Sequence, residues 1–146
     1  MDRLDEKIIQ ILRDNGRISN AEIARDLNVS EGTIRRRIRK LIQNETVKIM
    51  AIPDPQKIGY NTIALIGIES DPDKIDDVAN YLSNLRETQY VALTTGSFDI
   101  FVWVAVGSTE DLGNLLRTSI ATAPGIKRSE TFVNLAIRKR GFGLLG

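Results

Sequence analysis

Five cations fall within six consecutive positions of this chain: Arg35, Arg36, Arg37, Arg39 and Lys40. Such a density of guanidinium and ammonium groups suits the attraction of phosphates, and arginine can also fork onto guanine edges. Ile34, Ile38 and Leu41, with Ile42 beside them, interleave with the cations at helical spacing. The segment is therefore an amphipathic helix, anchored on one side and cationic on the other. Glu31 is the one acid near its cationic face. A helix of this kind can lie in a DNA groove, although a run of charge is also how an ordinary solvated face looks. Context favours DNA, because the run sits on the second of two short, well-capped helices joined by a turn. In that arrangement the start of the second helix lies nearest the bases. Ser30, Glu31, Thr33, Arg35 and Arg36 are thus the candidate base or phosphate contacts, and Gly32 lets the helix start approach a backbone closely. Arg39 and Lys40 are candidates for sequence-independent phosphate attraction. Arg37 flanks the core side, so it is a candidate either for DNA or for anchoring the helix to an acid.

A second cluster, Thr95-Gly96-Ser97-Phe98-Asp99, lies between two apolar stretches. Gly96 can take a positive φ, and Asp99 opens an apolar strand where an unpartnered acid would be costly. Two readings are open. Backbone N–H groups of the turn could hold a small carboxylate while Asp99 holds an ammonium or orders the turn. Alternatively, this is a plain hairpin turn with Asp99 satisfied by neighbouring N–H groups.

Other chemistry is thinly provided for. The chain has no histidine and no cysteine. That removes the commonest general base, the commonest metal ligand, thiolate sites and disulfides. No nucleophile–base set stands out, and Gly141 and Gly143 have no strand–helix context for a phosphate loop. No catalytic residue, cofactor or metal is expected. No run of about 18 apolar residues is present to span a membrane. The charged start, Met1-Asp2-Arg3-Leu4-Asp5, is unlike a signal peptide. A cytoplasmic location is the default. Net charge is +1 overall but uneven. Residues 1–50 carry +3 and residues 51–146 carry −2, as expected of a nucleic-acid-facing part joined to a part with another task.

The elements that must position these residues follow from period and punctuation. Leu4, Ile8, Ile11 and Leu12 mark a first helix, with Asp5 and Glu6 in its first turn and Asn15-Gly16 at its end. Ser19 with Glu22 forms a capping-box pattern for a second helix, whose inner face is Ile23, Ala24 and Leu27. Asn28-Val29 makes the turn, and Ser30 caps the third helix, which runs to about Asn44. Val47–Ile52 is β-like. Pro53-Asp54-Pro55 then stiffens a linker. Beyond it, strands are expected at Ile63–Ile68, Tyr90–Thr95, Ile100–Val106 and Lys127–Ile137. Helices are expected after Asp71-Pro72-Asp73, with Ile75, Val78, Ala79, Leu82 and Leu85 inward, and after Ser108 or Thr109, with Leu112, Leu115 and Leu116 inward. An internal repeat of about 37 residues relates Ile63–Ile68 to Ile100–Ala105 and Asp73 to Glu110. The expected class is α+β. A three-helix, winged-helix-like helix-turn-helix domain (1–50) leads through a hinge (51–60) to a ferredoxin-like βαββαβ sandwich (61–146). Alternation along Ile100, Phe101, Val102, Trp103 and Val104 makes both sheet faces apolar, and the face without helices must meet another subunit. A homodimer through the sheets is expected.

The chain also resembles a known family. Leu4-Asp5, Ile8-Ile9, Leu12 and Gly16-Arg17 begin the pattern. Glu22-Ile23-Ala24, Val29-Ser30 and Arg36-Arg37-Ile38-Arg39-Lys40-Leu41 continue it, followed by Ile49–Asp54, Ile58-Gly59, Thr95–Asp99 and Pro124-Gly125-Ile126. Together these are similar to the Lrp/AsnC, or feast/famine, regulators over essentially the whole chain. The resemblance implies a sequence-specific transcriptional regulator on double-stranded DNA, with dimers assembling into tetramers or octamers. It also implies an amino-acid effector bound between dimers near Gly96 and Asp99. The matching positions are Leu93, Thr95 and Ser97 and, on the last strand, Phe132 and Val133. Two departures stand out: Asn44-Glu45-Thr46-Val47 lacks the glycine common after the recognition helix, and Asn134 is polar where the last strand is usually apolar. Alternatives are a sirohaem-decarboxylase-like enzyme of the same fold, for which the expected histidine is absent, and a ligand-sensing assembly protein without DNA binding. The basic tail Arg138-Lys139-Arg140-Gly141-Phe142-Gly143 reads as solvated.

Overall fold

The computed structural model describes residues 1–139. The tail from Arg140 onward, and with it the end of the expected second domain, lies outside the described residues. The chain divides into two compact units, Met1–Ile52 and a second beginning at Pro53.

The first unit holds three helices, α1 (Arg3–Asp14), α2 (Asn20–Leu27) and α3 (Glu31–Gln43). Each begins on a side-chain cap. Ser19 and Glu22 form the reciprocal box the sequence predicts, and Ser30 accepts from the Thr33 N–H. α1 starts earlier than its apolar period suggests. Asp2 caps it by accepting from the Leu4 and Asp5 N–H groups, and the Asp5 carboxylate accepts from the Asp2 N–H in return. Asn28, in the left-handed region at φ 53, closes α2. The helices share a core of Ile8, Ile23, Ala24, Ile34 and Leu41, of which Ile8, Ile23 and Ile34 are fully buried. At about 1.5–3 kcal/mol for each large side chain removed from water, this small core is what makes three short helices stable together.

α3 ends in a Schellman turn. The Thr46 N–H reaches the Leu41 carbonyl at 2.9 Å and the Glu45 N–H reaches the Ile42 carbonyl at 3.0 Å. The residue after the cap must then be left-handed, usually a glycine. Here Glu45 fills that position at φ 55, so the turn common after such a helix is kept without its glycine. The β-like run Val47–Ile52 is not a strand. A strand needs a neighbour for its N–H and C=O groups, and no strand of the first unit offers one.

In the second unit, Gln56–Ile58 makes a 3-10 turn within the expected hinge. The order is then β1 (Thr62–Ser70), α4 (Ile75–Ser83), β2 (Thr88–Leu93), β3 (Ile100–Val106), α5 (Thr109–Leu115) and β4 (Ile126–Val133). α5 runs directly into a π turn over Leu116–Ile120. The sheet is antiparallel in the order β2-β3-β1-β4. This is the expected βαββαβ sandwich, with the repeated strands β1 and β3 side by side at its centre. β4 stops at Val133 rather than Ile137. Val133 is opposite Ala64 and Asn134 donates its N–H to the Ile63 carbonyl at 2.9 Å, after which β4 parts from β1 although β1 itself extends to Thr62.

One sheet face packs on the helices through Ala64, Ile66, Ile68, Ile100, Val102 and Val104, all fully buried with Val78 and Leu82. Register puts Leu65 beside Trp103 and Phe132 on the other face, and Tyr90 beside Trp103. Trp103, Phe132 and Tyr90 are 36%, 44% and 55% exposed. The uncovered apolar face read from the alternation is therefore present.

Candidate functional site

The first unit presents a cationic ridge. Successive α-helical residues turn by about 100°, so Gly32, Arg36, Arg39, Lys40 and Gln43 lie within about 55° of the direction opposite the core-facing Ile34–Ile38–Leu41 stripe. Arg36, Arg39, Lys40 and Gln43 are all exposed. The three cations make no ion pair or side-chain hydrogen bond among the described residues, which leaves their charge available to a partner. Arg35 sits on the flank in an i,i+4 pair with Glu31 at 3.5 Å, both side chains more than half exposed. Such a pair is worth well under about 1 kcal/mol and opens readily. Ser30 and Thr33 face one another across the cap, hydroxyl to hydroxyl at 2.8 Å.

Arg37 departs from the expected DNA face. It turns towards α1, where its guanidinium donates to Asp5 at 3.1 Å and also to Asp2. The Asp5 N–H and then Arg37 hold the Asp2 carboxyl below its ordinary range, and Asp2 and Asp5 raise the Arg37 guanidinium above its own. Of the two roles open to Arg37 in sequence, the geometry is that of the anchor. Gln43 shares the exposed face of the ridge, although it is uncharged and lies outside the basic run. Its spacing, seven positions after Arg36 and four after Arg39, was the available signal.

Gly32 has an informative environment. A Cβ built there meets nothing within 4 Å except the Arg35 guanidinium at 3.8 Å. Packing inside the chain therefore does not require a glycine at this helical position, where glycine costs about 0.5–1 kcal/mol relative to alanine.

The second candidate site is the turn between β2 and β3. The Thr94 N–H donates to the Asp99 carbonyl at 2.9 Å and the Asp99 N–H to the Ile68 carbonyl at 2.8 Å. The Asp99 carboxylate accepts from the Ser70 N–H at 2.9 Å. Asp99 thus pins the turn to β1, the turn-ordering role of the two read from sequence. Gly96 takes φ 101. The N–H groups of Thr95, Gly96 and Ser97 have no partner among the described residues and are exposed. Consecutive free N–H groups around a left-handed residue form an anion-binding concavity.

Phe98, inside the motif but not among the candidate contacts, holds this turn down. Its ring lies over Gly67, where an added Cβ would stand 2.7 Å from it. It meets Phe101 edge-on at 5.5 Å and carries the Arg128 guanidinium at 5.0 Å.

The remaining candidates are not brought together. Leu93 lies beside the turn on the edge strand β2, 55% exposed, whereas Phe132 and Val133 lie on the opposite edge strand, β4. Three strand spacings and three residues along β1 separate Phe132 from Leu93, about 17 Å from standard sheet dimensions. One chain cannot close these residues around one small molecule.

Comparisons with known proteins agree with this arrangement. Residues 1–42 match the AsnC-type helix-turn-helix domain, and residues 63–144 match the Lrp/AsnC ligand binding domain. An uncharacterised HTH-type transcriptional regulator of Pyrococcus furiosus is 36% identical over 97% of this chain and 97% of its own. The HTH-type transcriptional regulator FL11 of Pyrococcus horikoshii is 34% identical over 95% of this chain and 92% of its own. The structure of E. coli AsnC superposes with a TM-score of 0.90 at 29% identity, covering 97% of both chains. These relatives are named as regulators, which sets the decarboxylase alternative aside. With a helix-turn-helix unit and a ligand-binding unit matched in order along nearly all of its length, the chain belongs to the Lrp/AsnC family of transcriptional regulators.

Proposed function

We propose that the regulator works as a homodimer, or an assembly of such dimers, that inserts α3 into the major groove and takes an amino acid at the Thr95–Asp99 turn. The observation that carries the DNA reading is the free cationic ridge of Arg36, Arg39 and Lys40 on the solvent side of a helix whose other side is anchored in the core by Ile34 and Leu41. Ser30, Glu31, Thr33, Arg35 and Arg36 then lie nearest the bases, with Gly32 at the closest approach. Arg37 acts through α1, as a positioning residue. The linker at 51–60 joins the DNA-binding part, 1–50, to the assembly part, 61–146.

Dimerisation buries the uncovered sheet face around Leu65, Phe101, Trp103 and Phe132. Two recognition helices then meet half-sites about one helical turn, about 34–36 Å, apart. The effector carboxylate is received by the free N–H groups of Thr95, Gly96 and Ser97, with Leu93 as a neighbouring apolar contact. Phe132 and Val133 take part only from another copy of the chain, which places the effector between subunits. An effector that favours one assembly over another changes DNA affinity, and operator DNA changes effector affinity by the same factor.

Light-scattering mass, measured with and without each of the twenty amino acids, tests this reading. A multiple of the dimer mass is expected, shifting with at least one amino acid, and Trp103→Glu is expected to break the dimer. A monomeric wild type, or a mass indifferent to both effector and substitution, would contradict it.

A further inference from the structure

A cavity of about 320 Å³ opens beside the π turn, at the far end of β3 from the Thr95–Asp99 turn. The seven residues of β3 put about 20 Å between the two places. Its wall carries charges of both signs. Arg86 and Glu87 line it and have no side-chain partner among the described residues. Asp111 also lines it, with one carboxylate oxygen held by the Ser108 hydroxyl at 2.9 Å and the other free. Asn114 accepts from Arg117 at 2.8 Å through its carbonyl oxygen, which leaves its amide N–H groups to donate. The Thr118 hydroxyl donates to the Asn114 backbone carbonyl at 2.7 Å and keeps its lone pairs.

Two further features show that the wall is built. A Cβ at Gly107 would stand 2.9 Å from the Asp111 carboxylate, so the missing side chain there makes room for that acid at the rim. The helix bearing Thr118 also widens into an i→i+5 bond, the Ala121 N–H to the Leu116 carbonyl at 2.8 Å. π turns are rare and are frequent at functional sites.

We infer that this cavity is a second small-molecule site, distinct from the turn, that takes a small zwitterion. Its carboxylate pairs with Arg86 and the Asn114 amide, and its ammonium is held by Glu87 and Asp111. The volume is at the low end for ligand pockets, which suits a free amino acid. The inference does not rest on the turn being an effector site.

Equilibrium dialysis of the full chain against each of the twenty radiolabelled L-amino acids tests it, with Arg86→Gln, Gly107→Ala and Asp99→Asn alongside the wild type. At least one amino acid is expected to lose about ten- to a hundred-fold in affinity in Arg86→Gln, the usual range for a lost charged hydrogen bond. It should weaken in Gly107→Ala as well, whereas an amino acid taken at the turn loses affinity in Asp99→Asn and not in Arg86→Gln. Arg86 is exposed, so its substitution leaves the fold intact. Circular dichroism and melting temperature are recorded for each variant to verify folding. No binding by any amino acid, binding insensitive to Arg86, or binding lost only in Asp99→Asn would each overturn the inference. The last result would leave the turn as the sole site.

Discussion

Replacing Gly32 by alanine should move stability and DNA affinity in opposite directions. The glycine occupies the second position of α3, with ordinary helical backbone. Only the Arg35 guanidinium, at 3.8 Å, lies within reach of an added methyl, which is ordinary contact. Nothing in the folded chain is displaced, and the substitution removes the excess backbone freedom of glycine from the unfolded state. The expected gain is about 0.5–1 kcal/mol. For a unit of this size that raises the melting temperature by about 2–8 °C. If α3 enters the groove as proposed, the same methyl lies on the line of Arg36 and Arg39, where the helix start would be closest to the duplex. A clash or a retreat of even a few tenths of an ångström there lengthens several contacts at once. Operator affinity should then fall by at least about ten-fold. Melting of the free protein and fluorescence anisotropy on an operator obtained by in vitro selection give the two numbers. A more stable variant that binds DNA as tightly as the wild type would refute the claim that the start of α3 abuts DNA.

Arg37→Gln should weaken operator binding without changing its salt slope, because Arg37 is engaged by Asp2 and Asp5 rather than by phosphate. This cluster and the Ser19–Glu22 cap together set an acid limit on stability. Asp2 and Glu22 titrate below their ordinary values of 3.8 and 4.5, through the Asp5 N–H and Arg37 for Asp2 and through Ser19 for Glu22. A depressed carboxylate stabilises the fold above its unfolded pKa, and that stability is lost as pH falls through the folded value. The urea midpoint of the first unit should therefore drop from about pH 4.5 downward, less steeply in Arg37→Gln. Glu45→Gly should stabilise by up to about 1 kcal/mol in thermal melts, since it relieves a left-handed residue that carries a Cβ. Gly67→Ala should cost about 1–3 kcal/mol by displacing the Phe98 ring, a typical overpacking penalty. It should also blunt any effector response while leaving operator affinity without effector near that of the wild type.

Local signals accounted for most of the fold. Ser19 with Glu22, and Ser30, act through neighbours a few positions away, and the run Ile100–Val106 carries its strand pattern in its own alternation, so the caps and the central strand could be read directly. Alternation along β3 was enough to expose the uncovered sheet face. Features that depend on distant partners could not be read in this way. Arg37 is claimed by acids more than thirty positions away, and nothing in the basic run distinguishes it from Arg36 except its place beside the core stripe. β4 parts from β1 after Val133 although β1 extends to Thr62, and nothing in the composition of Leu135–Ile137 marks that end. Val47–Ile52 has strand-like residues and no strand partner within its unit. The Phe98 socket depends on a missing Cβ at Gly67, about thirty residues away. At the turn, both readings of Asp99 were open in sequence, and the Ser70 N–H decided its structural role.

The central claim is that α3 meets DNA through its free cations. Its most direct test is the salt dependence of operator affinity for the wild type and for Arg36→Gln with Arg39→Gln, measured by anisotropy over a range of salt. If each arginine neutralises one phosphate, the slope of log affinity against log salt should become shallower by about 0.9 per lost contact, or about 1.8 for each α3 engaged. An unchanged slope, with the doubly substituted protein still folded, would contradict the account.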